Sequence, residues 1–373
     1  MRNRVSQNTH HWLATAAIAA ALAGCAHGSS AVPRRDAAPV SEPYTSLAAS
    51  SARTTLYEAH TVSFALDRID QRDLPLDATY RHNGTGRGVT VYVFDGGVSR
   101  DHPELAGRVR LGFTGFPDDP KICNAHGTAV AGAIAGATLG VAPDAEIVDV
   151  KMVECQKLRG TIKAIVDGAH WVIADHKLHP GPAIANWSFI ADTAADIPEL
   201  DSAVSDLRAA GIPVVVSAGN VNVDACHVSP GNARGAIVVG ASAIAMHPAT
   251  AVDGASVPAR LTDERAPETA FGQCIDVYAP GDSVLLPSLD GALRPITQLW
   301  NGTSMSAGYV SGAAALYLEA HPTASPDEVA AAIEGNATLG VVRNARASET
   351  RMLYVGPTAA VVLATNTTRR RVP

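Results

Sequence analysis

The sequence has few aromatic residues and no excess of positive charge. Phe, Trp and Tyr make up 5% of the 373 residues, charged residues make up 17%, and the formal net charge is −7. A surface that binds nucleic-acid phosphates needs a basic excess, so these values exclude nucleic acid as an expected partner. The one basic cluster, residues 369–371, stands at the end of the sequence, where charged side chains are usually solvated.

The sequence also lacks an apolar run that would span a membrane comfortably. The run Trp12–Ala23 is shorter than the roughly 20 residues that a transmembrane helix needs. It follows Arg2 and Arg4 and leads into LAGC, which ends at Cys25 and resembles the lipobox of bacterial lipoproteins. Residues 1–25 are therefore predicted to be a lipoprotein signal peptide with lipidation at Cys25. An ordinary signal peptide is the alternative.

Both alternatives predict export. The lipobox further predicts attachment to the bacterial cell envelope, at its periplasmic or cell-surface face, with the lipid as the only membrane contact. Cysteine is scarce, and four cysteines remain besides Cys25. An even number in an exported protein predicts two disulfide bonds, for which sequence alone leaves three pairings open. The four are Cys123, Cys155, Cys226 and Cys274.

The composition divides the chain into segments. Residues 26–62 are rich in Ala, Ser, Pro and Arg and show little periodicity, which predicts a flexible tether. A short pro-segment is the alternative. A domain is predicted over residues 63–357, followed by a short C-terminal tail over residues 358–373.

Within the predicted domain, short apolar runs alternate with segments of helical composition. Such runs fit buried parallel strands. The alternation predicts an α/β domain in three layers, with a doubly wound, mostly parallel central sheet and helices on both faces. Ligands of such sheets bind at the carboxyl ends of the strands. The predicted strands are 90–94, 147–153, 183–187, 213–216 and 237–239, and the predicted helices are 127–137, 161–176, 197–210 and 304–320.

Three short motifs carry residues that a hydrolase can use. VFDGGV places Asp95 at the end of a predicted strand, while NAHGTAVAG and NGTSMSAG place His126 and Ser304 at helix starts. Each motif alone is weak, because Asp and Ser are common at turns and helix starts. Together, in the order Asp, His, Ser, they match a known chain order of a serine hydrolase triad. The serine context GTSMS differs from G-x-S-x-G, which disfavours an α/β-hydrolase.

With these motifs the chain resembles the subtilases, and it is most similar to their proteinase K and aqualysin branch. The resemblance runs from about Phe64 to Gly356. It includes LDRIDQRDLPL at residues 66–76, SAGN at residues 217–220 and VYAPG at residues 277–281. One of these motifs alone would be weak evidence, but their order over most of the chain is specific.

The resemblance implies a monomeric serine endopeptidase that acts on polypeptides and requires no cofactor. Ser304 would be the nucleophile, His126 the general base, and Asp95 the group that orients and stabilises the imidazole. Asn220 would donate its side-chain amide to the oxyanion. With His126 as the base, activity should rise as the pH passes the pKa of the imidazole, about 6.5 when unperturbed.

The resemblance to aqualysin also implies which cysteines pair, namely Cys123 with Cys155 and Cys226 with Cys274. Asp276 matches a weak calcium position of the relatives, which allows a structural calcium ion. A simple cap or ion-pair role is the alternative for this Asp.

The sequence departs from the family pattern where substrate is expected to bind. A peptide would add as a strand between two edge segments, in which glycines let its backbone approach. The segment that usually reads SLGG is SFIA at residues 188–191, and the other, usually Gly-Ser-Gly, is KLR at residues 157–159. Bulk in place of glycine predicts a narrowed or altered cleft, in which Arg159 would favour an acidic substrate residue. The predicted substrate-binding residues are Ser188, Phe189, Gly219, Leu158 and Arg159.

One further departure concerns the helix that presents the serine. Gly308 stands where the family usually has proline, which predicts a looser helix behind Ser304. Two alternative functions stay open: a catalytically degenerate subtilase that acts as a surface peptide-binding lipoprotein, and an esterase that uses the same triad. The altered cleft favours the first, and the chemistry of the triad allows the second.

Overall fold

A computed structural model describes residues 56–191, 196–252, 255–257 and 259–357. The predicted signal peptide with Cys25, most of the predicted tether and the predicted tail lie outside the described residues. The strands are β1 (Leu56–His60), β2 (Thr79–Asn83), β3 (Thr90–Asp95), β4 (Val109–Thr114), β5 (Glu146–Lys151), β6 (Val153–Glu154), β7 (Arg159–Gly160), β8 (Ala183–Trp187), β9 (Val214–Ser217), β10 (Ile237–His247), β11 (Thr250–Val252), β12 (Ala255–Val257), β13 (Arg260–Arg265), β14 (Val277–Pro280), β15 (Val284–Leu289), β16 (Pro295–Trp300), β17 (Thr338–Leu339) and β18 (Arg351–Met352). The helices are α1 (Phe64–Ile69), α2 (His126–Ala135), α3 (Ile162–Leu178), α4 (Pro198–Ala209), α5 (Thr303–Ala320) and α6 (Pro326–Asn336).

The central sheet has ten strands in the order β17-β18-β14-β10-β9-β8-β3-β5-β4, with β13 beside β10. Neighbouring strands run parallel from β18 to β4. Antiparallel pairing occurs where β13 meets β10 and where β17 meets β18. The structure therefore confirms the predicted doubly wound, mostly parallel sheet.

Helices cover both faces of the sheet and complete three layers. Helices α2 and α5 pack on one face, in a core that contains Val91 and Val93 of β3. Helices α3 and α4 pack on the other face, in a core that contains Tyr92 and Phe94. The side chains of β3 thus alternate between two cores, as expected for a strand buried on both sides. None of the helices in the described part of the chain combines the length and apolar character needed to cross a membrane.

Most predicted elements are confirmed with small shifts at their ends, but two strands differ. The predicted strand 147–153 is divided, because β5 ends at Lys151 and β6 turns into a hairpin with β7. Strand β10 continues well beyond the predicted end at residue 239, to His247, and pairs with β13. Gly240 and Ser242 interrupt the apolar pattern after Val239, and the outer half of β10 is only partly buried, so the sequence signal ended before the strand does.

Strand β1 lies within the range that was predicted to be a tether. It pairs antiparallel with β2 over its whole length, and all its residues are exposed. The ring of Tyr57 stacks on that of His82, with centroids 5.4 Å apart. Backbone pairing and this ring contact place the segment without burying an apolar face, which explains why its composition gave no sign of order.

Two disulfide bonds join Cys123 to Cys155 and Cys226 to Cys274, which confirms the pairing that the resemblance implied. The first bond links the loop before α2 to the hairpin of β6 and β7. Both sides of that bond belong to segments that surround the predicted catalytic residues.

The direction in which successive strands are added reverses at β3. Strands β5 and β4 lie on one side of β3, and β8 and β9 lie on the other. A crevice outside the carboxyl ends of the strands forms at such a switch point, and ligands of open α/β sheets bind there. Asp95 is the last residue of β3 and therefore stands at this crevice.

Candidate active site

Asp95 and His126 form a hydrogen-bonded pair at the carboxyl end of β3. Asp95 ends the strand, His126 begins α2, and His126 Nδ1 lies 2.7 Å from Asp95 Oδ2. The other carboxylate oxygen, Oδ1, accepts the backbone N–H of Gly96 at 2.7 Å. The carboxylate is buried, whereas the His126 side chain is 30% exposed. The imidazole therefore faces the cleft while Asp95 supports it from inside.

Glycines allow helix α2 to start this close to β3. A Cβ atom at Gly127 would lie 2.6 Å from the carbonyl oxygen of Gly97 and 3.0 Å from Cβ of Asp95. Gly97 has φ +108°, and a Cβ atom there would lie 2.2 Å from the carbonyl oxygen of Lys121. Larger residues at either position would separate the carboxylate from the imidazole, so these glycines are part of the site geometry.

The contact with Asp95 raises the pKa of His126 above its ordinary value. Burial by itself lowers the pKa of the imidazole, but the charge of Asp95 and its hydrogen bond together outweigh burial. A general base accepts a proton only in its neutral form. As the predicted general base, His126 would therefore become active only at a pH above the ordinary pKa of imidazole.

Ser304 is the second residue of α5 and is 7% exposed. Its Oγ donates to the carbonyl oxygen of Ser188 at 3.2 Å, and Ser188 Oγ donates to the carbonyl oxygen of Ser304 at 3.0 Å. Ser304 and His126 are both among the described residues, and they form no hydrogen bond with each other. Ser188 and His126 line the same cleft, and catalytic hydrogen bonds of unliganded enzymes are often long or poorly aligned until substrate binds.

Asn220 follows β9 and presents its amide nitrogen beside the start of α5. Its Oδ1 accepts the N–H of Thr303 at 2.9 Å and the hydroxyl of Thr303 at 3.0 Å. Because these donors fix which end of the amide is oxygen, Nδ2 must face the other way. There a Cβ atom at Gly302, which has φ +132°, would lie 2.8 Å from Nδ2. A glycine at this position thus keeps the space around the amide nitrogen clear.

A cleft of about 620 Å³ contains the Asp95–His126 pair and the predicted substrate-binding segments. Asp95 and His126 stand at one part of its lining. The segments before α3 and after β8 form its walls, so the structure brings together four of the five residues predicted to bind substrate. These four are Leu158, Arg159, Ser188 and Phe189.

Gly219, the fifth predicted substrate-binding residue, is covered by Ile190. A Cβ atom at Gly219 would lie 2.9 Å from Ile190 Cγ2 and 3.2 Å from Ile190 Cδ1. Ile190 also lines the cleft. The side chain that replaces a family glycine therefore fills the space over Gly219, directly beside Asn220.

Trp300 is a neighbour of the site that the sequence analysis did not identify. It ends β16, and its indole lies edge-on to the ring of His126, with centroids 6.1 Å apart. The sequence signal was its position directly before the NGTS of the serine motif. Trp300 thus forms part of the surface around the imidazole.

Gly308 has a packing role in the helix that carries Ser304. A Cβ atom at Gly308 would lie 2.9 Å from Cβ of Ala133 and 3.1 Å from the carbonyl oxygen of Val130. Because Gly308 has no Cβ atom, α5 packs closely against α2. Whether the glycine also loosens α5, as the sequence suggested, stays a prediction.

The predicted calcium position, Asp276, directs one carboxylate oxygen at the backbone. Its Oδ2 accepts the N–H of Val238 at 2.8 Å. Among the described residues, the only close group of three metal-ligand side chains is Asp119, Cys123 and Cys155, and both of its cysteines are in a disulfide bond. Calcium at Asp276 stays a prediction.

The family is shown by comparison with known proteins. The sequence model of the subtilase family matches residues 86–357, an interval that contains Asp95, His126, Asn220 and Ser304. The chain belongs to the subtilase family. This subtilase is 39% identical over 295 residues to the extracellular serine proteinase of Thermus sp. strain Rt41A, an alignment that covers 78% of this chain and 66% of the relative.

Other relatives agree with this assignment. The alkaline serine exoprotease A of Vibrio alginolyticus is 37% identical over 294 residues, which cover 78% of this chain and 50% of the relative. The crystal structure of a cold-adapted subtilisin-like serine proteinase superposes with a TM-score of 0.69 at 33% identity, covering 80% of this chain and 100% of that one. The chain spans 66% and 50% of the lengths of the Thermus and Vibrio relatives.

Proposed function

We propose that this subtilase is an exported serine endopeptidase that hydrolyses peptide bonds through an acyl-enzyme on Ser304. The observation that carries the proposal is the hydrogen bond between Asp95 and His126, in a cleft whose wall contacts Ser304 through Ser188. The names of two relatives, a serine proteinase and a serine exoprotease, support the same chemistry.

In the proposed reaction, Ser304 Oγ turns from the Ser188 carbonyl towards His126 and attacks the substrate carbonyl carbon. His126 takes the hydroxyl proton as the C–O bond forms, and returns it to the leaving amine as the C–N bond breaks. Water then hydrolyses the ester by the same route and restores Ser304. Asp95 holds the imidazole in its tautomer and stabilises its protonated form.

The backbone N–H of Ser304 and Nδ2 of Asn220 are the proposed donors to the oxyanion. N–H groups in the first turn of a helix lack intrahelical acceptors, and the helix N-terminus carries partial positive charge. The Asn220 amide is pre-oriented because Thr303 occupies its oxygen. A donor of this kind typically lowers the barrier by about 2.7–4 kcal/mol.

A fluorophosphonate probe tests whether Ser304 is an activated nucleophile. We expect the protein without residues 1–25 to form one covalent adduct on Ser304, located by mass spectrometry, and to cleave peptides. The Ser304→Ala variant and the heat-unfolded parent are the controls and should stay unlabelled.

Two other outcomes of the probe experiment would contradict the proposal. A folded parent that is not labelled would favour the degenerate peptide-binding protein. Labelling together with ester cleavage, but without peptide cleavage, would favour the esterase.

We further propose that Ile190 narrows the specificity of the cleft. The carbonyl group of the scissile peptide bond must lie between Ser304 and Asn220. The side chain of the substrate residue before that bond therefore lies beside Gly219. Ile190 fills that space. A small side chain at this substrate position is therefore favoured over an aromatic one, because filled volume in a packed site rejects larger groups.

Removing the Ile190 side chain should restore space for a large substrate residue. For Ile190→Gly, we expect the ratio of kcat/KM for peptides with Phe to those with Ala before the scissile bond to rise about 10-fold or more. Because the ratio is measured within one variant, a general loss of stability cancels. Ile190→Val removes less volume and should raise the ratio by less. A parent that already cleaves after Phe as readily as after Ala would refute this part of the proposal.

We also propose where the protein acts in the cell and to which branch of the subtilase family it belongs. The lipobox sequence supports export with a lipid on Cys25, and the name of the Thermus relative supports an extracellular site of action. An unmodified Cys25 in the mature protein from cells would contradict the lipid anchor. The two disulfide pairs and the LDRIDQRDLPL stretch support membership of the proteinase K and aqualysin branch.

A further inference from the structure

Asp149 is a buried carboxyl group that the proposed reaction does not use. It lies in the middle of β5, paired in register with Val93 of the strand that ends at Asp95. Its side chain is 4% exposed. An Asp in the middle of a buried strand interrupts the apolar run, and a buried carboxyl group is costly without partners.

The carboxyl group of Asp149 holds the turn that follows Asp95. Its Oδ2 accepts the backbone N–H of Val98 at 3.2 Å. Its Oδ1 has no hydrogen-bond partner among the described residues. The same turn includes Gly96, whose N–H binds Asp95, so Asp149 and Asp95 support one short loop from two sides.

Asp95 and Lys151 are the charged groups that act on the carboxyl group of Asp149. Burial has the largest effect and raises the pKa of this carboxyl group, the charge of Asp95 raises it further, and the Val98 N–H and Lys151 lower it, with a result of about 7. Lys151 is shared, because its Nζ also lies 3.4 Å from Asp119 Oδ2. Asp119 and Lys121 line a cavity of about 190 Å³ that Asp149 lines as well.

We propose that Asp149 is a positioning residue for the Asp95–His126 pair: its carboxyl group holds the turn after Asp95, and its ionisation changes the charge beside Asp95. The proposal rests on the proposed peptidase function. Below neutral pH the group is a neutral acid that still accepts the Val98 N–H. Above neutral pH, ionised Asp149 adds a second negative charge near Asp95 and His126, and this charge favours the protonated imidazole.

The sign of the effect follows from that charge. A carboxylate at Asp149 stabilises imidazolium, so it raises the pKa of His126 and moves the onset of activity to higher pH. Ionisation of Asp149 opposes deprotonation of His126, and this coupling broadens the acid limb of the activity profile. Removing the charge while keeping the hydrogen bond should reverse both effects.

Asp149→Asn is the informative variant, because its amide oxygen still accepts the Val98 N–H. We expect the acid limb of its kcat/KM profile to steepen and to shift to lower pH by roughly 0.5–1 unit, with the maximal kcat within about threefold of the parent. Asp149→Ala removes the hydrogen bond too, and we expect it to lower kcat about 10-fold in addition. If Asp149→Ala does not fold, the Asn variant alone decides the question.

Asp70 provides a matched control. Burial has the largest effect on this carboxyl group and raises its pKa, also to about 7. Its Oδ2 accepts the N–H of Arg81, while its Oδ1 has no partner in the described part of the chain. It lies at the end of α1, beside Arg81, and not in the catalytic turn. Asp70→Asn should therefore leave the pH profile unchanged.

A second measurement does not depend on turnover. The imidazole of His126 is titrated by NMR in full-length Ser304→Ala protein, with and without Asp149→Asn. We expect the pKa of His126 to fall by the same roughly 0.5–1 unit. An unchanged pKa of His126 would overturn the Asp149 proposal even if the protein is a peptidase. A shifted pKa in a protein without peptidase activity would uphold the coupling and refute the function.

Discussion

Replacing Ser304 by Ala is expected to lower kcat for peptide hydrolysis by about 10⁶-fold, because no other group can form the acyl-enzyme. The substitution removes one hydroxyl whose hydrogen bond is to the Ser188 carbonyl, so the fold should be preserved. Residual hydrolysis of about 10³–10⁴-fold over water should remain, because the oxyanion donors and the binding cleft are intact. Steady-state and single-turnover kinetics on a peptide measure both values.

Ser306→Ala is the matched control for this prediction. Ser306 lies on the same helix, is fully buried, and donates to the carbonyl oxygens of Ala279 and Pro280. Its loss should cost about 1 kcal/mol of folding free energy and leave most of the activity. If the Ser304→Ala protein retained more than about 1% of parental kcat, the acyl-enzyme mechanism would be wrong.

Replacing Asp95 by Asn is expected to lower kcat about 10⁴-fold with little change in KM. The amide fits the same space, but it can donate to His126 Nδ1 and so favours the tautomer that cannot accept the Ser304 proton at Nε2. The carboxylate that raises the pKa of His126 is also lost, so burial should dominate and lower that pKa. The residual activity should therefore begin at lower pH than in the parent, which a pH–rate profile measures.

Asp175→Asn tests whether the loss of any buried carboxylate is sufficient to lower kcat as much as Asp95→Asn does. Asp175 is buried, binds Tyr92 Oη at 2.9 Å and pairs with Arg110. It lies on α3, outside the catalytic cleft. Its substitution should reduce stability but leave kcat within about threefold of the parent. A comparable loss of kcat in both variants would show that Asp95 acts through folding rather than through His126.

The sequence predicted the elements and residues whose signals are local. Asp95 ends an apolar run, and His126 and Ser304 stand at helix starts beside glycines, so each motif gave both a residue and its place. The alternation of runs and helices predicted the parallel sheet, and the resemblance predicted the disulfide pairs. The strands, helices and motif residues depend on spacing and residue type, which the sequence shows directly. The cysteine pairing came from the resemblance alone.

Other features depend on packing that sequence does not show. The replacement of a family glycine by Ile190 was visible, but not that its side chain covers Gly219. Trp300 and His126 are far apart in the chain and meet only because the β15–β16 hairpin packs against the site. Asp149 was read as part of a strand, and only the structure shows that it supports the turn after Asp95.

The bond between Cys123 and Cys155 joins the loop that leads into His126 to the β6–β7 hairpin, which contains Leu158 and Arg159. One covalent bond thus links the segment that carries His126 to a segment that forms a wall of the cleft. Thiols stay reduced in the cytosol and pair in oxidising compartments. For the exported peptidase proposed above, a newly made chain would therefore lack this bond until it has left the cytosol. The proposed proteolytic site would be least well assembled among the proteins of its own cell.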